Sequence, residues 1–273
     1  MYFCSMKKYA LSILVFLVLI ITLSACSDYK KLLKSDDIEL KYTKAVEYYQ
    51  NKDYFKSIQL FDELLTYFRG TEKAEEIYYY YAYSHYGKGD YVVASYYFNN
   101  FSVTFPRSKY AEETMFMAAY CQYLDSPKHS LDQESTVSAL KGMQNFINSY
   151  PQSTRLAEAN KVIDKLRLKL QKKSFEAAKL YFTIEEYNAA ITALNAHLKD
   201  YPDSQFKEEA YFLILKSFYL YAINSIESKK KERFMATSES YETFAALYPE
   251  STFKREAENY YKIAQRELIK LKS

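Results

Sequence analysis

The chain has 273 residues, with 37 Lys and Arg against 34 Asp and Glu and a formal net charge of +3. That balance supplies no one-signed field of the kind that gathers nucleic acid. It carries 31 Tyr and 18 Phe but no Trp, and only four Gly and five Pro; so few breakers exclude a sandwich or barrel of short strands, which needs a turn signal roughly every ten residues, and predict an all-α chain.

At the N-terminus, Lys7 and Lys8 precede an apolar run from Ala10 to Leu23, and Leu23-Ser24-Ala25-Cys26 closes it. A basic start, a short apolar run and small residues make a secretory signal, and the run falls short of the roughly 20 residues that span a membrane. The tetrapeptide resembles a bacterial lipoprotein box, which implies lipidation of Cys26 after removal of residues 1–25, with 26–39 as a tether; the alternative is an ordinary signal or a membrane anchor with a chance Cys. Met6 is a more natural start than Met1. Three acyl chains would hold firmly where one is marginal. The resemblance also implies outer-membrane sorting, since Ser27 follows the Cys and Asp28 is the sole acid before Lys30. Removal of the signal leaves 248 residues with 35 basic and 34 acidic side chains. Cys121 is then without a disulfide partner and is predicted to be a small buried apolar residue.

A repeat follows. Tyr201-Pro-Asp-Ser-Gln-Phe206 matches Tyr248-Pro-Glu-Ser-Thr-Phe253, and Tyr150-Pro-Gln-Ser-Thr154 and Phe105-Pro-Arg-Ser-Lys-Tyr110 belong to the same series, with Phe68-Arg69-Gly70-Thr71 a degenerate copy. The leading aromatics are 37, 45, 51 and 47 residues apart, a period that marks a stack of supersecondary units. Pro ends one helix, and the Ser or Thr after it is expected to cap the next. A second break lies inside each unit, at Asn51-Lys52-Asp53, Gly87-Lys88-Gly89-Asp90 and Ile184-Glu185-Glu186. Small residues twelve apart (Ala45 with Ser57, Ala82 with Ala94, Ala178 with Ala190) mark where paired helices approach. These signals predict five hairpins over about 40–249 and a capping helix over 252–272, whose outer polar residues suit a water-facing end. Residues 154–182 are expected to form one long helix, and Ser126–Ser135 and Glu227–Arg233 to be loops. The pattern resembles the tetratricopeptide repeat, and a division into halves 40–150 and 151–273 is expected.

Catalytic chemistry is not visible. His85, His129 and His197 stand apart from any metal-ligand spacing, and there is no phosphate loop or nucleophile elbow; no cofactor, metal or catalytic residue is predicted. His129 reads as a loop residue and His85 as a satisfied core residue or groove wall. The acidic pairs Glu75-Glu76, Glu112-Glu113 and Glu208-Glu209 read as solvated first-turn residues that suit the helix dipole. In a tetratricopeptide hairpin the first helix lines the groove, which puts Tyr42, Tyr49, Tyr79, Tyr83, Tyr86, Phe116, Tyr120 and Tyr123 on a candidate peptide-binding face, with Tyr78 and Tyr81 in the core. Tyr offers large apolar area, a polar tip and few rotors to freeze. The competing reading is that these rings only fill the stack.

A lipoprotein box followed by five such hairpins resembles the BamD family of outer-membrane β-barrel assembly lipoproteins, in a Bacteroidetes-like branch. The resemblance rests on Tyr29-Lys-Lys-Leu-Leu-Lys34, Lys41-Tyr-Thr-Lys-Ala45, Lys52-Asp53-Tyr54, Arg69-Gly-Thr-Glu-Lys-Ala-Glu-Glu76 and Leu124-Asp-Ser-Pro127; the missing Pro at Arg69 and the stretches near 128 and 230 depart from it. It implies a periplasmic scaffold, anchored by lipid to the outer membrane, that docks the periplasmic domains of BamA through its C-terminal half and meets unfolded barrel proteins through its N-terminal half. A cell-wall or division lipoprotein, or a nutrient-binding lipoprotein of the starch-utilisation type, is the alternative.

Overall fold

A computed structural model describes residues 28–271, and every regular element in that range is helical. The expected leader and Cys26 lie outside the described residues. A helical segment over 28–33, α1, is followed by α2 (Ile38–Gln50), α3 (Tyr54–Tyr67), α4 (Lys73–Lys88), α5 (Tyr91–Thr104), α6 (Ala111–Asp125) and α7 (Glu134–Ser149). Then come α8 (Leu156–Thr183), α9 (Tyr187–Asp200), α10 (Lys207–Ile223), α11 (Glu227–Leu247) and α12 (Lys254–Lys270). The all-α tetratricopeptide-type architecture expected from the repeat is the fold. The long helix is α8, of 28 residues, and the terminal helix is α12.

Two compact units divide the chain. Unit 1 holds the described residues up to Asp125 together with Lys141–Ser153, and unit 2 holds Ser126–Leu140 and the residues from Thr154 onward. In unit 1 each of α2 to α6 packs on its chain neighbour, and α2 also touches α4. In unit 2 the same holds from α8 to α12, with α10 reaching both α8 and α12. Short connections make consecutive helices antiparallel, and contact two helices on stacks one hairpin over the next.

The turn inside a hairpin is built the same way in three copies. Asp53 N–H donates to Tyr48 O at 2.8 Å, Asp90 N–H to His85 O at 3.0 Å and Glu186 N–H to Tyr181 O at 2.9 Å. Each bond closes a helix C-terminus over a residue in the left-handed region: Lys52 at φ 61°, Gly89 at φ 88° and Glu185 at φ 65°. Only glycine takes that conformation without a Cβ penalty, so the turns at Lys52 and Glu185 are held by the helices they join. Beside Gly89, a Cβ on Gly87 would fall 2.3 Å from the Tyr54 ring. That contact brings the hairpin turns of α2–α3 and α4–α5 to the same end of unit 1.

Past the turn the helices close on small side chains. Ala45, Ser57, Ala82, Ala94 and Ala190 are fully buried, and Ala178 nearly so. In the third hairpin a Cβ on Gly142 of α7 would fall 2.7 Å from the Ala119 Cβ of α6, so hydrogen is what fits there. Large residues fill the space beside each contact: Leu60, Phe61 and Leu64 in the first hairpin, Phe175, Leu194 and Leu213 further on. Each such side chain taken from water contributes about 2 kcal/mol. Ser57 Oγ–H donates to Ser84 Oγ at 2.8 Å, and Ser95 Oγ–H donates to Ala118 O at 2.8 Å, so the buried hydroxyls at these contacts are satisfied. Cys121 is buried and free, and burial pushes its thiol up to about 12.

Two expectations about local structure are corrected. Glu227–Arg233 is not a loop but the opening turns of α11, because Glu, Lys and Arg are good helix formers even where no apolar stripe betrays the period. The connector serines do not cap the helices. Ser108, Ser204 and Ser251 accept the N–H two residues on (Tyr110 at 3.0 Å, Phe206 at 3.1 Å, Phe253 at 3.0 Å) and so close the turn ahead of the helix. Side-chain caps occur instead at Asp37, which accepts from Leu40 N–H at 2.9 Å, and at Asp53, from Lys56 N–H at 3.4 Å.

Ala94→Asp places an unpaired carboxylate in a contact with no exposed surface, at a cost of about 3–5 kcal/mol. Thermal melts followed by circular dichroism should show a large fall in midpoint for this variant, while Val93→Asp, one residue away on the exposed side, keeps the parental curve.

Candidate protein-docking face

The acidic pairs that open the first helix of a hairpin are engaged, not solvated, and this is the principal departure from the sequence-based reading. The first acid accepts the hydroxyl of the next connector serine: Ser108 to Glu75 at 2.6 Å, Ser153 to Glu112 at 2.5 Å and Ser251 to Glu208 at 2.6 Å. The fourth connector differs. Ser204 lies 3.0 Å from His197 Nε2, whose Nδ1 lies 3.0 Å from Ser174 Oγ. In that copy, buried Gln171 takes the acid's place, seven residues before Ala178 as Glu75 is before Ala82.

The second acid accepts from the preceding first helix. In unit 1 the donors are tyrosines: Tyr42 to Glu76 at 2.6 Å, and both Tyr83 at 2.5 Å and Tyr79 at 3.1 Å to the two oxygens of Glu113. In unit 2 they are lysines, Lys179 to Glu209 at 2.6 Å and Lys216 to Glu256 at 2.8 Å. Burial first, and then the neighbouring carboxylate, pushes the phenols of Tyr42, Tyr79 and Tyr83 well above their ordinary range. They therefore stay protonated and act as donors.

The residues assigned to the candidate face lie on α2, α4 and α6. Tyr42, Tyr49, Tyr79, Tyr83, Tyr86, Tyr120 and Tyr123 are all half-buried, with one side of each ring against neighbours. Tyr79 stacks on Tyr110 at 4.2 Å between centroids and meets Tyr83 at 4.7 Å, and Tyr83 meets Phe98 edge-on at 4.8 Å. Tyr49 lies 5.0 Å from Tyr80, Tyr86 lies 5.9 Å from Tyr91, and Tyr120 lies 5.6 Å from Tyr123. Phe116 is the exception: at 1% exposure it is core, facing Phe146 of α7 at 5.3 Å. Of the two rings assigned to the core, Tyr81 is buried and Tyr78 is half-buried. Tyr80 and Tyr110 join the face although the spacing of first-helix aromatics does not point to them; Tyr110 closes a connector motif, which is the available signal.

Unit 2 carries concavities. One of about 290 Å³ is lined by Asn195, Tyr211, Ile214, Phe218, Glu239 and Thr243, from α9, α10 and α11. Another of about 220 Å³ lies at Tyr241, Phe244, Tyr248, Pro249 and Lys254. No sequence motif announces them, because they arise from the spacing between packed helices. Gln133 organises the 126–133 connection by donating its amide to three carbonyls, those of Lys128, Leu131 and Asp132, at 2.8–3.0 Å. Lys169 and Lys173 close on the same connection through Ser126 O and Leu131 O. Among the described residues no cluster of His, Cys, Asp and Glu could hold a metal ion, and no helix is long and apolar enough to cross a membrane.

His85 is buried, as expected, but not satisfied. Neither ring nitrogen has a hydrogen-bond partner, and Asp90 Oδ2 is 3.5 Å from Nδ1. Burial pushes both His85 and His197 below the ordinary value of 6.5. The unfolded chain then binds more protons than the folded one once pH falls below about 6.5, so their contribution is complete above that pH and is lost as pH falls. The urea midpoint should drop between pH 7.5 and pH 5.5, and the drop should shrink in His197→Gln; an unchanged pH slope in that variant would contradict a neutral buried His197.

The family model YfiO, described as outer membrane lipoprotein, matches residues 35–233. No curated protein matches the chain. Among solved structures, the TPR2AB domain of yeast Sti1 in complex with a pHSP90 is similar over 84% of this chain and 98% of that one, at 13% identity and a TM-score of 0.40. The family match covers well over half of the sequence, and the chain belongs to the YfiO family of outer membrane lipoproteins.

Proposed function

We propose that the chain is a lipid-anchored, non-catalytic scaffold of the outer-membrane β-barrel assembly machinery. Cys26 carries the anchor, unit 1 meets unfolded barrel segments, and unit 2 docks the periplasmic domains of BamA. The observation that carries this reading is the family match over residues 35–233, which takes in most of the hairpins. The chemistry of the two units supports a division of labour. In unit 1 the hydroxyls of Tyr42, Tyr79 and Tyr83 are committed to Glu76 and Glu113, so these three rings offer mainly flat, rigid apolar surface. Such surface suits an extended segment with aromatic side chains and costs little ordering entropy. Unit 2 presents a concavity walled by Tyr211, Ile214 and Phe218 with Asn195, Glu239 and Thr243 around it, an apolar floor with a polar rim as a protein partner requires.

A mild-detergent pull-down of the tagged, full-length protein with mass spectrometry tests the reading. The expected result is a stoichiometric outer-membrane protein that combines tandem periplasmic domains with a barrel, and Cys26→Ala should leave the membrane fraction and lose its lipid label. Recovery of a TonB-type transporter or of peptidoglycan factors would overturn the assembly role, and a labelled Cys26→Ala variant would overturn the anchor.

A further inference from the structure

The segment that follows the anchor site is part of the packed core, not a loose leash. Tyr29 and Leu32 are each only 9% exposed within the core cluster of the first hairpin. Tyr29 Oη–H donates to Gln59 Oε1 at 2.6 Å, its ring meets Tyr48 edge-on at 5.7 Å, and Lys56 Nζ lies 5.6 Å from the ring centroid. Twelve residues on, Lys41, itself 2% exposed, pairs with Glu63 at 2.7 Å. The chain therefore enters beside the N-terminal half of α3 and proceeds toward its C-terminal half. Tyr29 is the third residue after Cys26, and three extended residues span at most about 10 Å. Tyr29 itself packs against Lys56 and Gln59 in the first turns of α3, so a lipid attached three residues upstream would be tethered within that reach of the 51–53 turn.

That turn end carries exposed apolar side chains of its own. Phe55 follows the turn pair Asp53-Tyr54 and is 62% exposed, and Val92 follows the equivalent pair Asp90-Tyr91 and is 65% exposed. The corresponding residue in unit 2, after Glu186-Tyr187, is Asn188, and the exposed apolar residue of that turn is Ile184, 57% exposed. Lys30, next to Tyr29, and Lys52, three residues before Phe55, are exposed, while the acids of the two turns, Asp53 and Asp90, are paired with Lys56 and Lys88. An exposed aromatic and an aliphatic flanked by lysines is the chemistry of a membrane interface, where apolar side chains enter the boundary of the acyl region and cations meet anionic headgroups.

We propose that the turn end of the first two hairpins, with Phe55 and Val92 leading and Lys30 and Lys52 beside them, is a membrane-contact surface that lies on the bilayer holding the anchor. Tyr29 acts as the clamp that fixes unit 1 to it. The inference rests on Cys26 carrying the lipid, as read above.

The chain has no Trp, so Phe55→Trp in the full-length lipidated protein supplies a sole indole reporter in vesicles of phosphatidylethanolamine and phosphatidylglycerol with brominated acyl chains. Tyr67→Trp is the control: Tyr67 is 63% exposed on the same helix, about 18 Å further along at 1.5 Å per residue. Indole emission from the Phe55→Trp protein should be blue-shifted and quenched at least twofold by brominated lipid, while emission from the Tyr67→Trp protein is unaffected. Adding Lys30→Glu and Lys52→Glu to Phe55→Trp should reduce the quenching. Adding Tyr29→Ala should remove it while the protein still floats with the vesicles. Floating Phe55→Trp protein quenched no more than the Tyr67→Trp control would overturn the contact surface and leave the anchor standing. Protein that fails to float, like Cys26→Ala, would overturn both.

Discussion

Each connector serine that meets an acid ties two hairpins together with one hydroxyl. Its hydrogen goes to the first acid of the preceding hairpin's first helix, and at Ser108 and Ser251 its lone pair accepts the N–H that closes the turn into the next helix. The bond is charge-assisted and therefore among the stronger ones available, and Glu75, Glu112 and Glu208 are all half-buried where screening is weaker. Repeat proteins gain stability from nearest-neighbour interfaces more than from any single unit. The serine–acid hydrogen bond occurs twice in unit 1 and once in unit 2, where Ser204 meets His197 instead. With the adjacent acid taking a Tyr or Lys from the preceding first helix, it ties each such helix to the next.

From that ladder follows the difference between the units. Where the donors to the second acid are Tyr42, Tyr79 and Tyr83, rings are drawn onto the surface of α2, α4 and α6 and held with their hydroxyls satisfied. Where the donors are Lys179 and Lys216, the acids at the same position are paired by cations, and Tyr260 of the same helix also donates to Glu256. One lock thus takes two donor types from the preceding first helix, Tyr in unit 1 and Lys in unit 2.

The fold is legible in the sequence because its determinants are local and physically forced. Proline ends a helix wherever it falls, and close approach at Ala82, Ala94, Ala178 or Ala190 admits only small side chains. The hydroxyl–acid ladder is not legible, because a Glu in a first turn is favoured by the dipole of any helix, so its type says nothing of a second partner. Glu227–Arg233 resembles a loop for a related reason: a largely exposed, charged helical start has no apolar period, and charge alone does not separate the two. Phe116 shares a helical stripe with Tyr120 and Tyr123, yet it falls where α7 covers α6, and that coverage depends on a contact the sequence does not announce. The aromatic face is otherwise readable from spacing, whereas the engagement of its hydroxyls and the concavities of unit 2 emerge only from helices packed together.

A double-mutant cycle on Ser108 and Glu75 tests the ladder most directly. Ser108→Ala, Glu75→Gln and the double variant would be compared by urea unfolding. A coupling of about 1 kcal/mol or more between the two positions is expected, above the roughly 0.3–0.5 kcal/mol within which independent sites add. Additive losses, with no coupling beyond that margin, would contradict the connector serine as the link between hairpins.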